Sequence, residues 1–161
     1  MDGGSADKLL ARNRAYAERH TGGDIPPTPA LKTAVVTCMD CRIDVYNVLG
    51  LEPGEAHVIR NAGGRARDAV RSLVVSQRKL GTREIVLITH TTCGMTSFAA
   101  AEFQDELGEE ARGIDFDTFG TPEQAAADDA DFLARHPLIL PGTTVSAFVY
   151  DVQSGRLQRV S

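Results

Sequence analysis

Three short runs rich in aliphatic residues, TAVVT at 33–37, AHVIR at 56–60 and EIVLIT at 84–89, alternate with helical patterns. That alternation constrains the fold more than any other feature. Strands buried on both faces read as near-continuous apolar runs, the condition of a parallel sheet covered by helices. Between them, residues 42–49 predict a short helix with Ile43, Tyr46 and Leu49 on one side. Residues 68–80 predict an amphipathic helix with Val70, Leu73, Val74, Gln77 and Leu80 in helical register and Gly81 just past its end. A further helix is expected over 97–107, and 109–120 reads as polar and irregular. Thr121-Pro122-Glu123-Gln124 has the capping-box pattern with Pro at the first helical position, opening a helix to about Arg135. Residues 144–152 alternate as a strand, and Ser154-Gly155 turns the chain into 156–160 as a hairpin. The expected class is α/β, a mainly parallel central sheet flanked by helices with a C-terminal hairpin. Strand order is left open by the pattern.

With 161 residues the chain has room for one domain. Ser5 predicts a cap for a first helix carrying Leu9, Leu10, Tyr16 and Ala17, but its apolar face is thin. Gly22-Gly23 and Pro26-Pro27-Thr28-Pro29 follow as a breaker-rich linker. Residues 1–32 therefore read as a helical arm and linker, and 33–161 as the α/β domain. A helix so weak alone is expected to pack across a neighbouring subunit or the body of the fold. A net charge of -5 argues against nucleic acid or an anionic membrane as partner. The longest aliphatic run, Ile85-Val86-Leu87-Ile88, is far below the ~20 residues of a membrane helix. The start, Met1-Asp2-Gly3-Gly4-Ser5, lacks the basic and apolar segments of a signal peptide. Three cysteines make no disulfide framework and point to a reducing, cytoplasmic setting.

Open parallel sheets bind ligands outside the carboxyl ends of their strands. The first predicted strand runs into Cys38-Met39-Asp40-Cys41-Arg42, the second into Asn61-Ala62-Gly63-Gly64 and the third into His90-Thr91-Thr92-Cys93-Gly94. All three cysteines and one of four histidines thus fall at one edge. Cys38, His90 and Cys93 supply two thiolates and an imidazole, the donors zinc prefers, and three protein ligands leave a fourth position open. Asp40 and Arg42 form an opposite-charge pair beside the first thiolate, suited to orienting a carboxylate near a metal.

Taken singly, a buried Cys is a small hydrophobe and a His near a strand end a satisfied polar residue. Their coincidence at one edge favours a metal. Two rivals use Cys41. Cys38-Met39-Asp40-Cys41 between a strand and a helix has the form of a thioredoxin-like redox pair, although Asp40 opposes thiolate formation. Cys38, Cys41, His90 and Cys93 can also close a structural zinc site, which would leave Asp40 and Arg42 without a role.

Cys38-x-Asp40-x-Arg42 followed by His90-x-x-Cys93-Gly94 resembles the paired signature of β-class carbonic anhydrases, and Ile59-Arg60-Asn61-Ala62-Gly63-Gly64 resembles their intervening stretch. Cys38-Met39-Asp40, Asp44-Val45-Tyr46 and Gly81-Thr82-Arg83-Glu84-Ile85 look most like the small bacterial, mycobacterial kind. The resemblance is strong from Thr33 to Cys93 and looser to the C-terminal hairpin. Cys41 departs from it, where the family carries a small residue such as Ala or Ser. The resemblance implies zinc on Cys38, His90 and Cys93, with water or Asp40 in the fourth position. It also implies hydration of carbon dioxide to bicarbonate, a homodimer or higher homo-oligomer, and Asp40 and Arg42 as catalytic residues. Asn61, Gly63 and Gly64 are expected beside the substrate. Hydrolysis of carbonyl sulfide or carbon disulfide on the same fold is the neighbouring alternative.

Overall fold

The structure, a computed structural model, describes residues 4–160. Five strands form one sheet in the order β2-β1-β3-β4-β5, with β1 Thr33–Cys38, β2 Ala56–Asn61, β3 Glu84–His90, β4 Thr144–Tyr150 and β5 Leu157–Arg159. The first four are parallel and β5 closes antiparallel on β4, as the hairpin pattern predicts. Every residue of β1 is buried, because it lies between two strands and beneath two layers.

Alternate residues divide the core between the two faces. Ala34 and Val36, with Ile85, Leu87 and Ala147, meet Ala66, Ala69 and Leu73 of α3 (Ala66–Leu80) and Ala126 and Leu133 of α5 (Pro122–Arg135). On the other face Val35 and Ile88 join Ile43, Val45, Cys38, Cys93 and Tyr150. Cys38 and Cys93 are therefore packed into the second core where the strands end.

The helices depart from expectation at their ends. α1 (Ser5–Ala17) is capped by Gly4 without a side-chain bond, so Ser5 is its first turn and not its cap. None of its residues is buried, and Leu9, Leu10 and Tyr16 stand exposed. α2 is only Val45–Leu49, because Asp44 caps it by accepting from the Asn47 N–H; Ile43 is buried before it begins and Tyr46 points outward. α3 starts two residues earlier than 68 and turns Ala66, Ala69, Leu73, Ser76 and Gln77 inward, leaving Val70 and Val74 half-buried. Small residues there let the helix sit close to the sheet. α4 is Ala100–Leu107, so the expected 97–107 helix starts three residues later, after a separate 3-10 turn at Gly94–Thr96. Thr121 caps α5 by accepting from the Gln124 N–H, but the Gln124 side chain bonds Asp128, so only half of the box forms. No helix among the described residues is long and apolar enough to cross a membrane.

Candidate metal centre

The carboxyl ends of β1 and β3 are adjacent because their strands pair in parallel register. Cys38 ends β1, His90 ends β3, and Cys93 follows after a two-residue turn. Their ligand atoms lie within 4.8 Å of one another and all three residues are buried. The two sulfurs are 3.9 Å apart. Cys41 is exposed and outside this group, so the structural zinc reading that needs it as a fourth ligand loses its geometry.

His90 Nδ1 donates to the Thr91 carbonyl at 2.9 Å, which fixes the tautomer and leaves Nε2 as the acceptor. Nε2 is buried without a hydrogen-bond partner. A buried imidazole nitrogen left bare beside two thiols fits a thiophilic cation such as zinc. The hydrogen bond from Cys93 lowers the Cys38 thiol to about 4; burial opposes it, and His90 and the Asp40 and Gly63 backbone N–H groups reinforce it. The same bond, with burial, pushes Cys93 up. Burial, the largest influence, disfavours a charged His90, but the Cys38 sulfur, the Thr91 carbonyl and the Asp40 charge together move His90 up. The opposite directions of the two cysteines favour a single thiolate on Cys38, and the Cys93 proton is one that a metal would displace.

Asp40 lies beside the group, with Oδ2 3.8 Å from His90 Nε2. Arg42 grips both its oxygens, Nε to Oδ1 at 2.9 Å and Nη2 to Oδ2 at 2.6 Å, and its backbone N–H adds a third bond to Oδ1. The guanidinium bonds hold the Asp40 carboxyl well below the usual carboxylate range. Gly64 explains how β2 contributes. A Cβ there would stand 2.7 Å from Cys38 N and 2.7 Å from the Thr37 carbonyl carbon, and its φ is +69°, so only glycine fits. Asn61 locks this turn by donating to the Arg65 carbonyl and accepting from the Arg65 N–H.

The structure adds a residue that sequence reasoning quoted without a role. Arg60 donates from its guanidinium to three backbone carbonyls, Cys38 at 2.9 Å, Ile43 at 3.0 Å and Asp40 at 2.6 Å. It clamps the loop that carries Asp40 and Arg42. The signal was its place at the end of a strand neighbouring β1, but strand order was needed to use it.

A parallel α/β sheet with a buried Cys/His/Cys set and an arginine-held carboxylate at its carboxyl edge defines the class of this protein. The family model described as carbonic anhydrase matches residues 33–115. The chain is 43% identical over 162 residues to β-carbonic anhydrase 1 of Mycobacterium tuberculosis, covering 96% of this chain and 97% of that protein. It is 33% identical over 181 residues to the carbon disulfide hydrolase of Saccharolobus solfataricus, covering 95% and 87%. Among solved structures, a carbonic anhydrase from Streptococcus mutans superposes with a TM-score of 0.93 at 40% identity, covering 100% of both chains. The chain belongs to the β-carbonic anhydrase family, and its relatives named carbonic anhydrase are lyases.

Proposed function

We propose that the protein catalyses the reversible hydration of carbon dioxide to bicarbonate and a proton, with zinc held by Cys38, His90 and Cys93. The supporting observation is the buried donor triad with its bare Nε2 next to a carboxylate that Arg42 holds in place. Zinc bound there supplies the Lewis acidity that brings the pKa of a water towards neutrality. Cys38 and Cys93 bring two negative charges, so that water is acidified less than three imidazoles would allow, and turnover favours moderately alkaline pH. Arg42 holds Asp40 beside the ligand group, where its carboxylate would accept a hydrogen bond from a water and orient it. Released from Arg42, the Asp40 carboxylate would be free to serve as a fourth ligand to zinc. Asn61, Gly63 and Gly64 act on the substrate side by setting the turn against Cys38.

Residues 1–32 serve as an arm and 33–161 as the catalytic domain, and the exposed Leu9, Leu10 and Tyr16 are covered by a second copy in a homodimer. Two buried free thiols kept for a metal suit the cytoplasm. The relative named a carbon disulfide hydrolase keeps a second reading in play, hydrolysis of carbon disulfide or carbonyl sulfide at the same centre. Stopped-flow measurement on the zinc-loaded protein with each of the three substrates decides. Carbon dioxide hydration well above the other two supports the proposal; preference for a sulfur compound replaces it with the second reading.

A further inference from the structure

Thr92 links two anchored residues by an uncommon backbone. Before it, the Thr91 N–H donates to the Tyr150 carbonyl, and Thr91 Oγ1 accepts from the Val152 N–H. After it comes the ligand Cys93, whose carbonyl accepts from both the N–H and hydroxyl of Thr96. Between these fixed points Thr92 has φ +53°, the left-handed region that a β-branched side chain strongly disfavours. The other non-glycine residues at positive φ among the described residues are Lys32 and Asp117, neither of them β-branched.

In this conformation the Thr92 hydroxyl and carbonyl reach the same guanidinium. Arg42 Nη1 donates to Thr92 Oγ1 at 3.1 Å, and Arg42 Nη2 donates to the Thr92 carbonyl at 3.0 Å. The Arg42 side chain is 48% exposed although Asp40 is 15% exposed, so the pair with Asp40 alone would leave the guanidinium open to water on one side. With Thr92 it is held from two sides, by the loop after β1 and by the loop after β3. Backbone strain kept in place by such contacts is characteristic of functional segments.

We infer that Thr92 is a positioning residue that acts through Arg42: its strained turn fixes the guanidinium, and thereby holds the Asp40 carboxylate off the metal. The inference rests on the roles given above to Asp40 and Arg42. It also ties the two ligand-bearing loops together through one side chain, so that movement of either reaches the other.

The test compares Thr92→Val, which keeps the shape and β-branching but deletes the hydroxyl acceptor, with Thr92→Ser, which restores it. Zinc content, kcat and KM for carbon dioxide, and solvent exchange of the Arg42 Nε–H by ¹⁵N NMR are measured on the zinc-loaded protein. Thr92→Val is expected to keep its zinc, lose roughly tenfold in kcat at unchanged KM, and speed Nε–H exchange by a similar factor, the effect of one hydrogen bond to a charged group. Thr92→Ser should stay close to the parent in all three. Parent-like exchange and kcat in Thr92→Val would overturn the inference. If the parent protein proves inactive on carbon dioxide, the proposed function fails instead, while Nε–H exchange in Thr92→Val still decides whether Thr92 positions Arg42.

Discussion

Asp40 Oδ2 stands 3.8 Å from His90 Nε2, at the border of the ligand group but not within it. Both oxygens of that carboxylate face the Arg42 guanidinium, so the group nearest the bare imidazole nitrogen is turned aside by a second charge. The distance is short enough that loss of Arg42 alone would let Asp40 approach a cation held at His90. The site is thereby divided into a donor set that could hold a metal and a carboxylate restrained beside it. Each part can be removed separately.

Replacing Cys38, His90 or Cys93 with Ala should abolish stoichiometric zinc and, with it, essentially all turnover. Cys41→Ala should keep one zinc per chain, because Cys41 is exposed and outside the ligand group. Metal analysis of the purified variants with a thiol count reads this directly. Zinc lost from Cys41→Ala would restore the structural site built on all three cysteines.

Gly64→Ala should destabilise the fold by about 2–5 kcal/mol, since the new Cβ meets the backbone of Thr37 and Cys38 and the left-handed conformation is strained besides. Gly94→Ala, where a Cβ has no neighbour within 4 Å, should change stability by no more than about 0.5 kcal/mol. Urea denaturation of both variants gives the comparison. Equal effects would mean that the close approach to β1 relaxes easily.

These residues also show what was legible in advance. Burial on both faces makes TAVVT and EIVLIT nearly continuous in apolar residues, so the parallel sheet could be read from the chain. The Cys/His/Cys set was visible because parallel strands bring their carboxyl ends to one edge. Helix ends were less legible: Asp44 competes as a cap within the expected 42–49 helix, and after the 3-10 turn at 94–96 the next helix begins only at Ala100. The ties of Arg60 and Thr92 to the loops could not be read at all, since each joins residues far apart in sequence through backbone carbonyls that carry no residue-type signal.

Removing residues 1–24 should weaken self-association. α1 buries none of its residues on its own protomer, and its Leu9, Leu10 and Tyr16 remain an exposed apolar stripe. Light scattering across micromolar concentrations should find the parent at least dimeric and the truncated chain shifted towards monomer. A fully active monomeric parent would remove the reason for the arm.

The Asp40–Arg42 pair makes the most specific demand. Arg42 holds the Asp40 carboxyl well below the usual range, so its contribution to stability is present above the ordinary carboxylate pKa of about 3.9 and is lost only as pH falls through the depressed value. Asp40 is then ionised throughout the working range, and any slope in the rate between about pH 6 and 9 must come from another group. Asp40→Asn should therefore lower the rate at every pH in that range, by roughly 10²–10⁴-fold, without moving the midpoint of the profile, and should keep its zinc. Arg42→Ala should also keep zinc, but frees Asp40 to ligate it, so turnover collapses across the neutral range. Arg42→Lys should recover only part of the rate, because an ammonium cannot reproduce the planar fork that now meets Asp40 and Thr92 together. Rate profiles measured beside zinc content separate these cases. Parent rates in both Asp40→Asn and Arg42→Ala would reduce the pair to a surface salt bridge and remove it from the mechanism.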